Sequence, residues 1–298
     1  MKSIKQKNTI SLGDRMKSYE ELSTSRQLMP NCPVYARLDG RAFHTFCRGL
    51  PKPYSKFFME TMQDVCKYLV DETGAVLGYV QSDEISLGWT DLAKAPFEGR
   101  IQKLESNLPS MASAKFVQYV YSNVFTNPNS DDGLFDRVRK YLPSFDCRIF
   151  NVPTLDELAN AFLWRENDAI KNSITVMALS FFSNSQIHKK NSDEKIEMMR
   201  ETGYDFYKDT NPDFLRGTFF RRVNYMKRLT EDEISKIPQK QLDMLEKDLE
   251  GNYSALRSKI DRMEIPYRLT DFSNRVEVLF GNAKPVLNKE KPTFELCR

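Results

Sequence analysis

The chain has 298 residues, 40% of them hydrophobic and 29% charged, which is enough apolar material for one large soluble domain or two ordinary ones. Its 44 Lys and Arg against 41 Asp and Glu leave a formal charge of +3, so any nucleic-acid surface must be a local patch and not a global basic character. The two histidines, His44 and His188, and the five cysteines, Cys32, Cys47, Cys66, Cys147 and Cys297, show no Cys-x-x-Cys spacing. That inventory argues against a His/Cys zinc site and against a Ser-His-Asp hydrolase.

Met1 to Ile10 carries three lysines without the apolar core of a signal peptide. No later stretch reaches the roughly 18 consecutive apolar residues a membrane span needs. With the odd cysteine count, the expectation is a reduced, cytoplasmic setting without membrane contact. Leu12, Met16, Tyr19 and Leu22 then follow helical spacing, and the helix stops at Pro30-Asn31-Cys32-Pro33.

Val34 to Leu38 is a short strand-forming run that ends in Asp39-Gly40-Arg41-Ala42-Phe43-His44. Ser55 opens a helix with Phe58, Met62, Val65, Cys66 and Leu69 on one face, closed by Gly74. A second strand, Ala75 to Val80, runs into Gln81-Ser82-Asp83-Glu84, and Ile85 to Trp89 returns. Taken singly, Asp39-Gly40 reads more readily as an ordinary turn and Ser82-Asp83-Glu84 as an ordinary hairpin loop. Together, with Arg41 and His44 behind the first acid, they point to a nucleotide site. If the two strands are neighbours, Asp39 and Asp83 converge, and acids with no base beside them call for a cation. Magnesium suits a few carboxylates completed by phosphate oxygens and water, and two metals about 4 Å apart can serve a phosphoryl-type displacement.

Ile101 to Val120 carries a long helical pattern in which Pro109 should mark a kink or a restart. After a polar loop at Asn127 to Gly133, a strand is expected over Phe145 to Val152. Thr154-Leu155-Asp156-Glu157 then has capping-box spacing for a helix that passes Asn172 and sets Arg165, Asp168 and Asn172 near one face, readable also as a solvated or subunit-facing stripe. Ser192 can cap a short helix ending at Gly203, and Gly217 to Val223 reads as a strand or extended segment. The charged stretch from Met226 to Met263 reads as a peripheral helical extension, and Arg275 to Gly281 alternates as a strand. Arg216, Arg221, Arg222, Lys227 and Arg228 form a basic cluster that either meets RNA phosphates or is simply a solvated face.

The order strand, helix, hairpin is that of a palm-type nucleotidyl transferase core: an α+β fold with a ferredoxin-type antiparallel sheet, flanking helices and a helical C-terminal extension. On this reading residues 1–224 form the catalytic domain and 225–298 the extension. The motifs Asp39 to His44, Gln81 to Glu84, Phe145-Asp146-Cys147-Arg148-Ile149-Phe150 and Trp164-Arg165-Glu166-Asn167-Asp168, continuing to Asn172-Ser173-Ile174, resemble those of the tRNA-His guanylyltransferase family, including its bacterial and phage relatives that polymerise in the 3′ to 5′ direction.

The resemblance implies an enzyme that uses two magnesium ions to add a nucleotide, usually guanylate from GTP, to the 5′ end of tRNA after ATP activates a 5′-monophosphate. It implies Asp39, Asp83 and the Gly40 carbonyl as metal ligands, with Glu84 in support. Residues Asp39, Gly40, Arg41, Ala42, Phe43, His44, Ser82 and Asp83 would hold the nucleotide, and Arg100 with Lys103 its triphosphate. Asp168, Asn172, His188 and Lys189 are secondary candidates for the activating nucleotide or the tRNA end and read equally as ordinary surface polar residues, and a homotetramer is the expected assembly. Two other readings stay open: a palm-fold cyclase acting on GTP, which lacks its expected Gly-Gly-Asp/Glu-Glu-Phe turn here, and an RNA-binding protein without catalysis.

Overall fold

The computed structural model describes residues 10–92, 95–127, 129, 131–242, 244–247, 251–281 and 283–288. Cys297 and Met1 to Thr9 lie outside the described residues. Helix α1 (Leu12–Thr24) starts on Ser11, whose side chain accepts from the Asp14 amide, and leads to β1 (Val34–Gly40). The turn α2 (Phe43–Phe46) follows, then α3 (Lys56–Thr73), capped at its start by Ser55 and at its end by Gly74 in the left-handed conformation. Strands β2 (Leu77–Gln81) and β3 (Glu84–Trp89) form a hairpin. Helix α4 (Ile101–Thr126) runs through Pro109 as one helix, so the expected restart does not occur. Next come α5 (Leu134–Lys140), β4 (Phe145–Asn151) and α6 (Leu155–Phe181), whose cap Thr154 accepts from the Glu157 amide.

Beyond α6 lie α7 (Asn184–Ile187), α8 (Ser192–Glu201), α9 (Phe206–Asp209) and α10 (Pro212–Arg216). The cap of α8 is Asn191, in a full capping box with Glu194, and Ser192 is its first helical residue. The chain then enters β5 (Thr218–Arg228), α11 (Glu231–Ser235), α12 (Gln239–Leu242), β6 (Glu246–Lys247), β7 (Tyr253–Arg262) and α13 (Arg275–Phe280).

The strands form one antiparallel sheet in the order β4-β1-β3-β2-β5-β7-β6. Its first four positions are the ferredoxin-type arrangement, and alternation along each strand sorts the core into two layers. Val34, Ala36, Leu38, Val80, Ile85 and Leu87 face α3 and α4, whereas Tyr35, Leu77 and Tyr79 face α6 through Leu158 and Phe162. Glycine is required at position 88, where a Cβ would lie 2.9 Å from the Phe162 ring.

Two expectations are corrected here. The segment after Met226 is not a helical extension, because β5 and β7 pair from Phe220–Arg262 out to Arg228–Ser254 as a ribbon continuing the sheet. The boundary expected at 224/225 falls inside β5. Arg275 to Phe280 is not a strand but the helix α13, which packs Val278 and Leu279 into the α6-side core. Among the described residues no helix is long and apolar enough to cross a membrane.

Candidate active site

Hydrogen-bond register carries the acids together. Asp39, the penultimate residue of β1, pairs with Glu84 at the start of β3. Gln81 pairs with Glu84, so Ser82-Asp83 is a two-residue hairpin loop, and Ser82 takes the left-handed conformation at φ 47° that such a loop demands. The Gly40 amide donates to the Asp83 carbonyl at 3.0 Å, which ties the two acid-bearing loops backbone to backbone. A side chain at position 40 would place its Cβ 2.5 Å from the Phe43 ring and 2.9 Å from the Asp83 Cβ, so only glycine permits this approach. Ala42 is also left-handed, at φ 56°. Two non-glycine residues in a costly conformation thus flank the same pair of acids.

Burial and the neighbouring charge of Asp39 push the Asp83 carboxyl above its ordinary range, against hydrogen bonds that favour its charged form. Glu84 is pushed up by burial but held by Arg165, whose Nε donates to its carboxylate at 2.6 Å. Arg37 stands 3.9 Å from the same carboxylate, and Arg148 lies 4.0 Å from Asp39 and 3.6 Å from Asp146. The acids are therefore not free of bases, contrary to the expectation. Glu84 points into an ion pair, and the open carboxylates are those of Asp39 and Asp83.

The remaining expected residues divide sharply. Phe43 is buried in an aromatic cluster with Phe46, Phe116 and Phe145, so only its backbone faces the site. Arg41 is exposed and anchored by its amide to the Ser144 carbonyl. His44, Ser82 and Asn172 line a cavity of about 700 Å³ between the α2–α3 segment and α6. Asp168 accepts from Arg165 at 2.9 Å and from Asn172 at 3.3 Å, which joins this face of α6 to Glu84.

Arg100 and Lys103 are not brought to the acids within one chain. They begin α4 beside Gln27 and Leu28, at the Val34 end of β1, and roughly 17 Å of strand separates that end from Asp39. His188 and Lys189 lie beyond the far end of α6 in a separate depression with Lys190 and Lys195. The basic cluster is not one surface either. Arg216 pairs with Glu166, Arg221 donates to the Val278 carbonyl, Arg222 to the Val70 and Asp71 carbonyls, and Lys227 to Glu233.

Sequence reasoning missed the cavity wall formed by Pro51, Lys52, Pro53 and Tyr54, although the two prolines are a visible rigid-loop signal. The same cavity holds Cys47, whose thiol is pushed up to about 12 by burial and by the Asp83 charge, which removes it as a nucleophile.

The family model described as Thg1, tRNAHis guanylyltransferase, matches residues 13–153, the span that contains both acid loops. A bacterial tRNA(His) guanylyltransferase (Thg1)-like protein solved in complex with ATP is 35% identical at a TM-score of 0.60, covering 71% of this chain and 88% of that one. The chain belongs to the Thg1-like tRNA(His) guanylyltransferase family. A bacterial Thg1-like protein in complex with GTP aligns over 88% of this chain and 94% of its own at 28% identity and a TM-score of 0.60. Among sequence relatives, the tRNA(His) guanylyltransferase of Schizosaccharomyces pombe is 30% identical over 53% of this chain, which spans 56% of that protein. Protein R259 of Acanthamoeba polyphaga mimivirus is 28% identical over 64% of this chain and 70% of its own length. Family membership makes this chain a transferase-family member, and both acid loops sit in the family's defining span.

Proposed function

We propose that this Thg1-like chain transfers a nucleotide, typically guanylate from GTP, to the 5′ end of a tRNA in the 3′ to 5′ direction, with magnesium. The observation that carries this reading is the juxtaposition of the Asp39 and Asp83 loops, with Ser82 of the second loop lining the cavity that also holds His44 and Asn172. That cavity has the volume of a nucleotide-sized ligand site.

Among the described residues no three His, Cys, Asp or Glu side chains cluster tightly enough to hold a metal alone. The donor set still fits magnesium, which takes one or two carboxylates and leaves its other positions to phosphate and water. The mutual repulsion of Asp39 and Asp83 is what a cation between them would relieve, and the glycine at position 40 is what lets the two acid loops come close enough to share it. Asp39, Asp83 and the Gly40 carbonyl would hold it, and it would supply charge neutralisation at the reacting phosphate.

The chain's own residues position the partners. The cavity takes the base and ribose of the incoming nucleotide, with its reactive end at the acid loops. In the transfer step the ribose 3′-oxygen of GTP bonds to the terminal phosphorus of the RNA and loses its proton. The bond from that phosphorus to the leaving AMP breaks when the end has been activated with ATP, or the bond to pyrophosphate when the end is a triphosphate. The test is incubation with magnesium, ATP, labelled GTP and 5′-monophosphorylated or 5′-truncated tRNA, followed by sequencing of the labelled ends. Label at the 5′ end supports the reading, and its absence on every tRNA overturns it.

A further inference from the structure

Helix α6 covers the sheet only in part. It lies over β3 through Phe162 against Gly88 and Arg165 against Glu84, and among the described residues the same face of the edge strand β4 stays exposed. The outward residues of β4, Asp146, Arg148 and Phe150, are all exposed. Register sets them directly opposite Asp39, Arg37 and Tyr35 of β1. The face therefore carries an aromatic row, a cationic row and an acidic row in succession, the last of which contains Asp39.

Two features mark this ledge. Arg37 faces Arg148 across the strand pair, a like-charge contact that nearby acids offset: Glu84 lies 3.9 Å from Arg37, and Asp39 and Asp146 lie 4.0 and 3.6 Å from Arg148. Trp164 of α6 walls the ledge with its indole 52% exposed, the Arg165 guanidinium 4.5 Å and the Arg37 guanidinium 5.2 Å from its ring. Phe150 is also exposed, with Tyr35 behind it at 5.5 Å. Open rings braced by arginines are the surface on which unpaired bases stack while cations meet the backbone. From Phe150 to Asp146 the strand advances about 13 Å, which matches about four stacked nucleotides at 3.4 Å each.

We propose that this ledge seats the terminal nucleotides of the RNA strand whose 5′ end is held at Asp39 and Asp83. Trp164 and Phe150 stack on its bases, the exposed Arg148 faces its phosphates, and Arg37 braces the Trp164 ring. This assignment rests on the function proposed above and gives it a docking direction.

The tryptophan count makes the test direct. Of the two tryptophans, Trp89 is fully buried and donates to the Thr73 carbonyl, so Trp164 alone can meet a base. Titrating the full chain with a 5′-triphosphorylated tRNA transcript in magnesium should give saturable quenching of tryptophan emission, lost in Trp164→Phe. Phe150→Ala should raise the RNA Kd about tenfold to a hundredfold while GTP binding by calorimetry stays unchanged. RNA binding without quenching, and with unchanged affinity in both variants, would overturn the ledge and leave the proposed function standing. GTP binding with no RNA binding at all would overturn both. A change in emission that follows protein concentration without RNA would make the ledge an interface between copies and overturn the assignment.

Discussion

The Nε of Arg165 lies 2.6 Å from the Glu84 carboxylate, and both side chains are nearly inaccessible to water. This contact across 81 residues of sequence decides which acids of the cluster are open. Breaking one side of a buried ion pair costs about 3–5 kcal/mol because it strands the other charge. Arg165→Met should lower the urea-unfolding free energy by about that much, and adding Glu84→Leu should restore most of it. A cost below about 1 kcal/mol for the single variant would show that the pair does not hold α6 to the sheet.

Gly40→Ala tests the close approach of the two acid loops. Its Cβ has no room between the Phe43 ring and the Asp83 Cβ, both within 3.0 Å. Displacement of about 1 Å at a reacting centre costs about a hundredfold in rate. The variant should lose about that much in kcat while far-ultraviolet circular dichroism stays that of the wild type.

Asp83 gives a pH signature with a definite sign. Burial raises its pKa in the folded chain above the ordinary 3.8, so its contribution to stability is fully present below that value and is lost as pH rises through the raised one. At pH near 7 without metal the ionised side chain is a liability. Asp83→Asn should therefore melt higher than wild type in EDTA at neutral pH, with the gain fading as pH falls to about 3.8 and below. Magnesium should stabilise the wild type and not the variant. An equal gain at both pH values would contradict this electrostatic account.

Much of the central core was legible because its signals are local. Ser55 and Gly74 bracket α3, apolar runs mark β1, β2 and β3, and both acid loops fall where strands end. The start of β5 was legible in Gly217 to Val223, but its continuation and its pairing with β7 were not, because beyond β2 the ribbon projects past the core and Arg257, Ser258 and Lys259 are all exposed, so no period of two is written into it. Arg275 to Phe280 misled by alternating at its start, whereas burial of the adjacent Val278 and Leu279 is helical packing against α6. The pairing of Glu84 with Arg165, and the distance of Arg100 from Asp39, arise only when the helices are laid on the sheet.

The C-terminal segment is held by another buried pair. Arg216 pairs with Glu166 and donates to the Ile265 and Tyr267 carbonyls at 2.7 and 2.9 Å, while the Leu269 amide donates to Glu166 at 2.8 Å. Arg216→Met strands Glu166 and two carbonyls, and should cost about 3–5 kcal/mol. Limited proteolysis should cut the variant first between Met263 and Leu269. Resistance equal to wild type would show that α13 alone secures the segment.

The central claim is that Asp39 and Asp83 form the nucleotidyl-transfer centre. The measurement that tests it most directly is magnesium-dependent transfer of labelled guanylate from GTP to the 5′ end of a tRNA, compared in wild type, Asp39→Ala and Asp83→Ala of matched circular dichroism. The account predicts 5′-end label with the wild type, abolished by EDTA and reduced to background in both variants. Label persisting near the wild-type rate in either variant would contradict it.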